Sequence, residues 1–119
     1  MSDTPPNLKV TRQGVICVVE FQDRKILEEL AINQIAERLT ELADAEDEPR
    51  LLLDFRNVEH LSSAALGVLI TLSKQLAERQ GKLVLANIHP HIYEVFKITR
   101  LNKLFNIQDT SEDGIKAFN

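Results

Sequence analysis

The stretch His60-Leu61-Ser62-Ser63-Ala64-Ala65-Leu66-Gly67 sets two hydroxyl groups side by side where one apolar run ends and another begins. A serine hydroxyl has three chemical uses. With a base and an orienting acid it is a nucleophile, at the first turn of a helix it satisfies a free backbone N–H, and on an exposed surface it accepts a phosphoryl group. A capping role explains one serine and leaves the other over. It does not explain the small residues behind them, because a glycine inside a helix costs up to about 1 kcal/mol relative to alanine. Ala64, Ala65 and Gly67 therefore predict a low-relief surface around a serine at a helix start. Such a surface suits docking and gives a kinase access to the hydroxyl.

The nucleophilic use finds no support among the other reactive residues. There is no Gly-x-Ser-x-Gly elbow, no glycine-rich phosphate loop and no Cys/His pair with an orienting partner. His60 stands beside the serines as a potential base, but no third group is identifiable, so it reads as a loop histidine. His89 and His91 flank Pro90 at a spacing that does not put two imidazoles on one helix face, and they read as surface or capping residues. Asp54 ends an apolar run, as does the phosphorylated aspartate of response-regulator receivers. That chemistry needs an adjacent acidic pair to hold Mg²⁺, and the candidate strands end instead in "TRQG" and "EFQDR". Asp54 is expected to stabilise a loop or meet water. Cys17 is the sole cysteine, so no intrachain disulfide or multi-cysteine metal site is available, and it reads as a small buried hydrophobe. No metal, cofactor or catalytic activity is predicted.

The elements that must position Ser62 and Ser63 follow from periodicity. "LKVTRQGVICVVEF" predicts a strand, a turn at Gln13-Gly14 and a second strand. Ile32, Ile35, Ala36, Leu39, Leu42 and Ala43 recur at the spacing of one buried helix face. The acidic run "DAEDEP" reads as a solvated loop. "LLLDF" is a short continuous apolar run, fitting a strand buried on both faces. A helix follows from Ser63, with Ala65, Leu69, Leu72 and Leu76 inward and Gly81 as its end signal. "KLVLANI" is another strand. Pro90 opens a helix with Ile92, Val95, Phe96 and Thr99 inward, "KLFNI" is a short strand, and Thr110 caps a last helix. Strands alternating with helices predict an α/β fold with a largely parallel sheet, while the opening β-turn-β is antiparallel, so the sheet is mixed, with about four helices.

With 119 residues and 44% hydrophobic content, the chain is sized for one domain; residues 1–7 are expected to be a flexible start and 8–119 the domain. A net charge of −4 with scattered Lys and Arg argues against nucleic acid and against anionic membranes. No apolar run approaches the roughly 20 residues of a membrane helix, so no direct membrane insertion is expected, and the polar start is unlike a signal sequence. A cytoplasmic protein is the expectation.

The segment "LLLDFRNVEHLSSAALGVLI" resembles the STAS domain, the sulphate-transporter and anti-sigma-factor-antagonist module, and the likeness continues through "GKLVLANIHPHIYEVFKITRLNKLFNI". The family pattern is an apolar strand ending in Asp, then an aspartate, two serines and a glycine before Leu-Gly. By position from Leu66-Gly67, Ser63 matches the serine phosphorylated in family members, Ser62 replaces the aspartate, Ala64 the second serine and Ala65 the glycine. The resemblance implies an anti-sigma factor antagonist that binds an anti-sigma factor with serine kinase activity and is released by phosphorylation at Ser63, with Ser62 the less favoured acceptor. The expected docking surface comprises Asn57, Glu59, His60, Leu61, Ser62, Ser63, Ala64, Gly67 and Val68, the last read as exposed on the helix. A monomer or weak homodimer is expected. The alternative is a non-switching STAS accessory subunit of a transporter or of a signalling scaffold.

Overall fold

A computed structural model describes residues 7–118. Residues 1–6, most of the expected flexible start, lie outside the described residues. Asn7 is tied down, its carbonyl accepting from Gln22 N–H at 3.0 Å and its side-chain amide donating to Asp23 at 2.9 Å.

The chain opens with strands β1 (Leu8–Gln13) and β2 (Ile16–Phe21), paired antiparallel about Gly14, whose φ of 63° suits a residue without Cβ. A two-residue strand β3 (Lys25–Ile26) precedes helix α1 (Glu29–Asp44). Strand β4 (Arg50–Asp54) leads through a second two-residue strand, β5 (His60–Leu61), into helix α2 (Ser63–Glu78). Then come β6 (Lys82–Ala86), α3 (Pro90–Ile98), a one-turn helix α4 (Leu101–Leu104), β7 (Asn106–Gln108) and α5 (Ser111–Lys116).

The main sheet has the order β1-β2-β4-β6-β7, parallel throughout except for β1. That order runs across the sheet without reversing. Same-handed crossovers then carry α1, α2 and α3 to one face. No strand-order switch point arises, which is where open sheets of this class form their ligand crevice. Alternation along β4 explains the two cores. Leu51 and Leu53 face the three helices, with Val19, Leu39, Leu69, Leu85 and Phe96, while Leu52 faces the smaller cluster of Ile16, Val84, Ala86 and Phe118 under α5. Asp54 shares the parity of Leu52 and so points towards α5.

Three local expectations are corrected. "KLFNI" is not one strand: Leu101–Leu104 form a fifth helix and β7 begins at Asn106, because Arg100 at φ 63° turns the chain into another helical turn. Val95 and Thr99 are exposed, and only Ile92 and Phe96 fill the inner face of α3, since nine residues of helix present a stripe narrower than four positions. Gly81 is not the left-handed residue that ends α2. Gln80 takes that conformation at φ 60°, and the N–H groups of Gly81 and Gln80 bond back to Leu76 and Ala77. Gly81 is small for another reason: a Cβ there would lie 2.4 Å from the Pro49 carbonyl.

Candidate functional site

Ser62 and Ser63 lie where the carboxyl end of the central strand β4 feeds α2. Ser62 is the N-cap, with an extended backbone and its Oγ accepting from Ala65 N–H at 3.2 Å. Its own N–H donates to Ile26 O at 3.1 Å, continuing the parallel β3–β5 pair, in which Lys25 faces His60 and Ile26 faces Leu61. The start of α2 is therefore anchored to the segment before α1, a tie that a two-residue strand gives no sequence signal for. Ser63 occupies the first helical position and is exposed, as are Ala64 and Gly67 on the same surface. No atom lies within 4 Å of where a Gly67 Cβ would be, so packing does not demand a glycine there.

The other predicted docking residues divide. Glu59 is held by Arg24 at 2.9 Å, and the guanidinium hydrogen bond keeps its carboxyl below the usual range. His60 is exposed and Leu61 half-buried, both beside the serines. Asn57 is turned inward: its amide donates to Glu20 at 3.0 Å and to Phe21 O at 3.1 Å, so it fastens the loop. Val68, expected to be exposed, is half-buried, because α1 packs closely enough to leave only a groove of about 370 Å³ between the helices, with Val68 in its wall.

Asp54 is the site's foundation. At 1% exposure it is the only buried charged or polar residue described in the core. It does not meet water, as one expectation had it. Arg56 donates to it from backbone N–H at 3.0 Å and from the guanidinium at 2.8 Å; Asn87 Nδ2 donates at 3.0 Å and Ser111 Oγ at 2.9 Å. Burial would raise its pKa, but the hydrogen bonds from Arg56, Asn87 and Ser111 outweigh it, and the carboxyl sits below its ordinary value. One carboxylate thus joins the loops after β4 and β6 to α5. Asn87 adopts φ 57° to reach it. Sequence reasoning found Asp54 but not its partners, which lie 33 and 57 positions away for Asn87 and Ser111.

All three histidines of the chain converge on this edge, His60 and His91 with ring centroids 6.1 Å apart and His89 and His91 5.7 Å apart. His89 Nε2 donates to Arg56 O at 3.2 Å and His91 Nε2 to Glu59 O, stapling the loop before α2 to the start of α3. Among the described residues, no group of three or more His, Cys, Asp or Glu side chains is placed to hold a metal ion. No described helix is long and apolar enough to cross a membrane.

The STAS domain pattern matches residues 7–114. BtrV of Bordetella bronchiseptica, whose name assigns it provisionally as an anti-sigma factor antagonist, is 40% identical over 71 residues, 60% of this chain; the match spans only 61% of that protein's length. Among solved structures, an anti-sigma-factor antagonist (STAS) domain protein from Planctomyces limnophilus superposes with a TM-score of 0.84 at 23% identity, covering 94% of this chain and 97% of that one. The Bacillus cell fate determinant SpoIIAA in its phosphorylated form superposes at 0.72 with 17% identity, covering 94% and 99%. At these identities the superpositions show the shared fold.

Proposed function

This chain belongs to the STAS domain family, and from that premise we propose that it is an anti-sigma factor antagonist of the cytoplasm, docking on an anti-sigma factor through the start of α2 and released by phosphorylation of Ser63. The family is regulatory rather than enzymatic. The observation that carries this reading is the division between the serines: Ser62 Oγ is spent on the cap, while Ser63 at the next position is exposed between small residues.

The physics of the switch follows from that position. A phosphate adds about −1.5 to −2 charges. At the first turn of a sixteen-residue helix the free N–H groups and macrodipole favour that charge, so the domain stays folded. The cost falls on the interface, where a dianion is desolvated against the partner, and each 1.4 kcal/mol is about tenfold in affinity. The partner is proposed to be an anti-sigma factor with serine kinase activity.

The test is a pull-down from the native host with wild type, Ser63→Ala and Ser63→Asp, read by mass spectrometry together with thermal melting. Expected are a soluble ATP-binding kinase on the first two baits only, phosphate at Ser63 of wild type, and a Ser63→Asp midpoint within about 2 °C of wild type. Recovery of the same transporter or scaffold proteins on all three baits would overturn the reading.

A further inference from the structure

Asp54 holds α5 and the loop leading to the serines with the same two oxygens. Ser111 Oγ, at the first position of α5, donates to Asp54 Oδ2 at 2.9 Å and accepts from Arg56 Nη2 at 3.2 Å and from Asn87 Nδ2 at 3.0 Å. Arg56, on the loop, donates from its N–H to Asp54 Oδ1 at 3.0 Å and from Nε to Oδ2 at 2.9 Å. The Arg56 carbonyl accepts from His89 at 3.2 Å and the Glu59 carbonyl from His91. The loop is thus held from α5 at one end of the network and from α3 at the other.

Helix α5 depends on its attachments. Six residues are too few for a helix to persist alone in water. What seats it is the buried pair Gly114 and Phe118, four positions apart, together with the Ser111 hydroxyl. The seat is close-fitting: a Cβ at Gly114 would lie 2.6 Å from Leu52 Cδ1. When α5 lifts, Ser111 leaves with it and water reaches the side towards which Asp54 points. Arg56 loses the hydroxyl, and its pair with a hydrated carboxylate weakens, because charges in water attract far less than buried ones.

We infer that α5 is a latch on the serine-bearing turn. Seated, it holds residues 55–62 in the form that presents Ser62 and Ser63; lifted, it frees them. The consequence for the partner rests on the reading above. Docking takes the seated form, so apparent affinity falls with the fraction of molecules in which α5 is seated. Whatever engages α5 therefore reaches the serines from the other face of the sheet. The coupling is reciprocal: loosening the loop loosens α5.

The experiment is residue-resolved hydrogen exchange on the full chain. It is read at Ala117 after α5 and at Arg56, Val58, Glu59 and Ser62 of the loop, whose N–H groups all have acceptors. Gly114→Leu unseats the helix, Ser111→Ala cuts the hydroxyl tie and leaves the packing, and His89→Ala cuts the hold from α3. Expected are loop amides at least about tenfold faster in the first two variants, with amides of α1 unchanged, and a faster Ala117 in the third. Gly114→Leu, with Ser63 intact, should bind the purified partner about tenfold more weakly. Should Gly114→Leu not fold, Ser111→Ala and His89→Ala carry the same test. Loop amides at wild-type rates while Ala117 accelerates would overturn the latch, as would a loosened loop with undiminished affinity. Failure of the docking reading is seen separately, in the pull-down, since exchange needs no partner.

Discussion

Removing the buried Asp54 carboxylate would take away the acceptor that Arg56, Asn87 and Ser111 share, and with it the tie between the loops after β4 and β6 and α5. Asp54→Ala is expected to lower stability by about 2–4 kcal/mol, measured by urea unfolding. The pH dependence carries a definite sign. The carboxyl's folded pKa is depressed below its unfolded value. Its contribution is therefore complete above the unfolded pKa, near 4, and is lost as pH falls through the folded pKa. Melting points of wild type should fall through this acid range more steeply than those of Asp54→Asn, whose amide does not titrate. At this scale the sequence is half legible. Asp54, Ser62 and Ser63 announce themselves by position, since a strand end and a helix start are local features. Asn57, Glu59 and Val68 do not, because which way each turns depends on Glu20, Arg24 and α1, brought up by the fold.

Helix α2 carries a glycine that its own packing does not ask for. A methyl group at Gly67 meets open space, and alanine is the better helix former by up to about 1 kcal/mol. Gly67→Ala should therefore raise the melting point by a few degrees while weakening the partner pulled down by wild type, measured on the same purified variant. Equal or tighter binding would mean that the small residue is not there for docking. The helices and main strands were legible because each buries a periodic face: Ile32, Ile35, Leu39 and Ala43 in α1, and Ala65, Leu69, Leu72 and Leu76 in α2. The short β3–β5 pair was not, since two residues hold no period, and α4 was not, because its turn hangs on one left-handed residue, Arg100.

The molecule as a whole is lopsided, with three helices over one face of the sheet and the six-residue α5 over the other. The alternating strand and helix order made the mixed sheet legible, but which face each helix covers follows from crossover handedness and from Asp54 facing α5. Unequal cover predicts unequal local stability. In hydrogen exchange, amides of β4 and β6 should exchange only with global unfolding, and those of α5 should exchange at least about a hundredfold faster through local opening. Equal protection across both faces would show a single cooperative unit. Cys17 sits on the better-covered face, 5% exposed and paired in register with Leu51 of the central strand. Burial raises its thiol pKa, which keeps the unreactive protonated form dominant. As the only thiol in the chain, it is a built-in chemical clock: an alkylating reagent marks a molecule when the sheet has opened, so where alkylation outpaces reclosing the rate of labelling times the native state's lifetime without any denaturant.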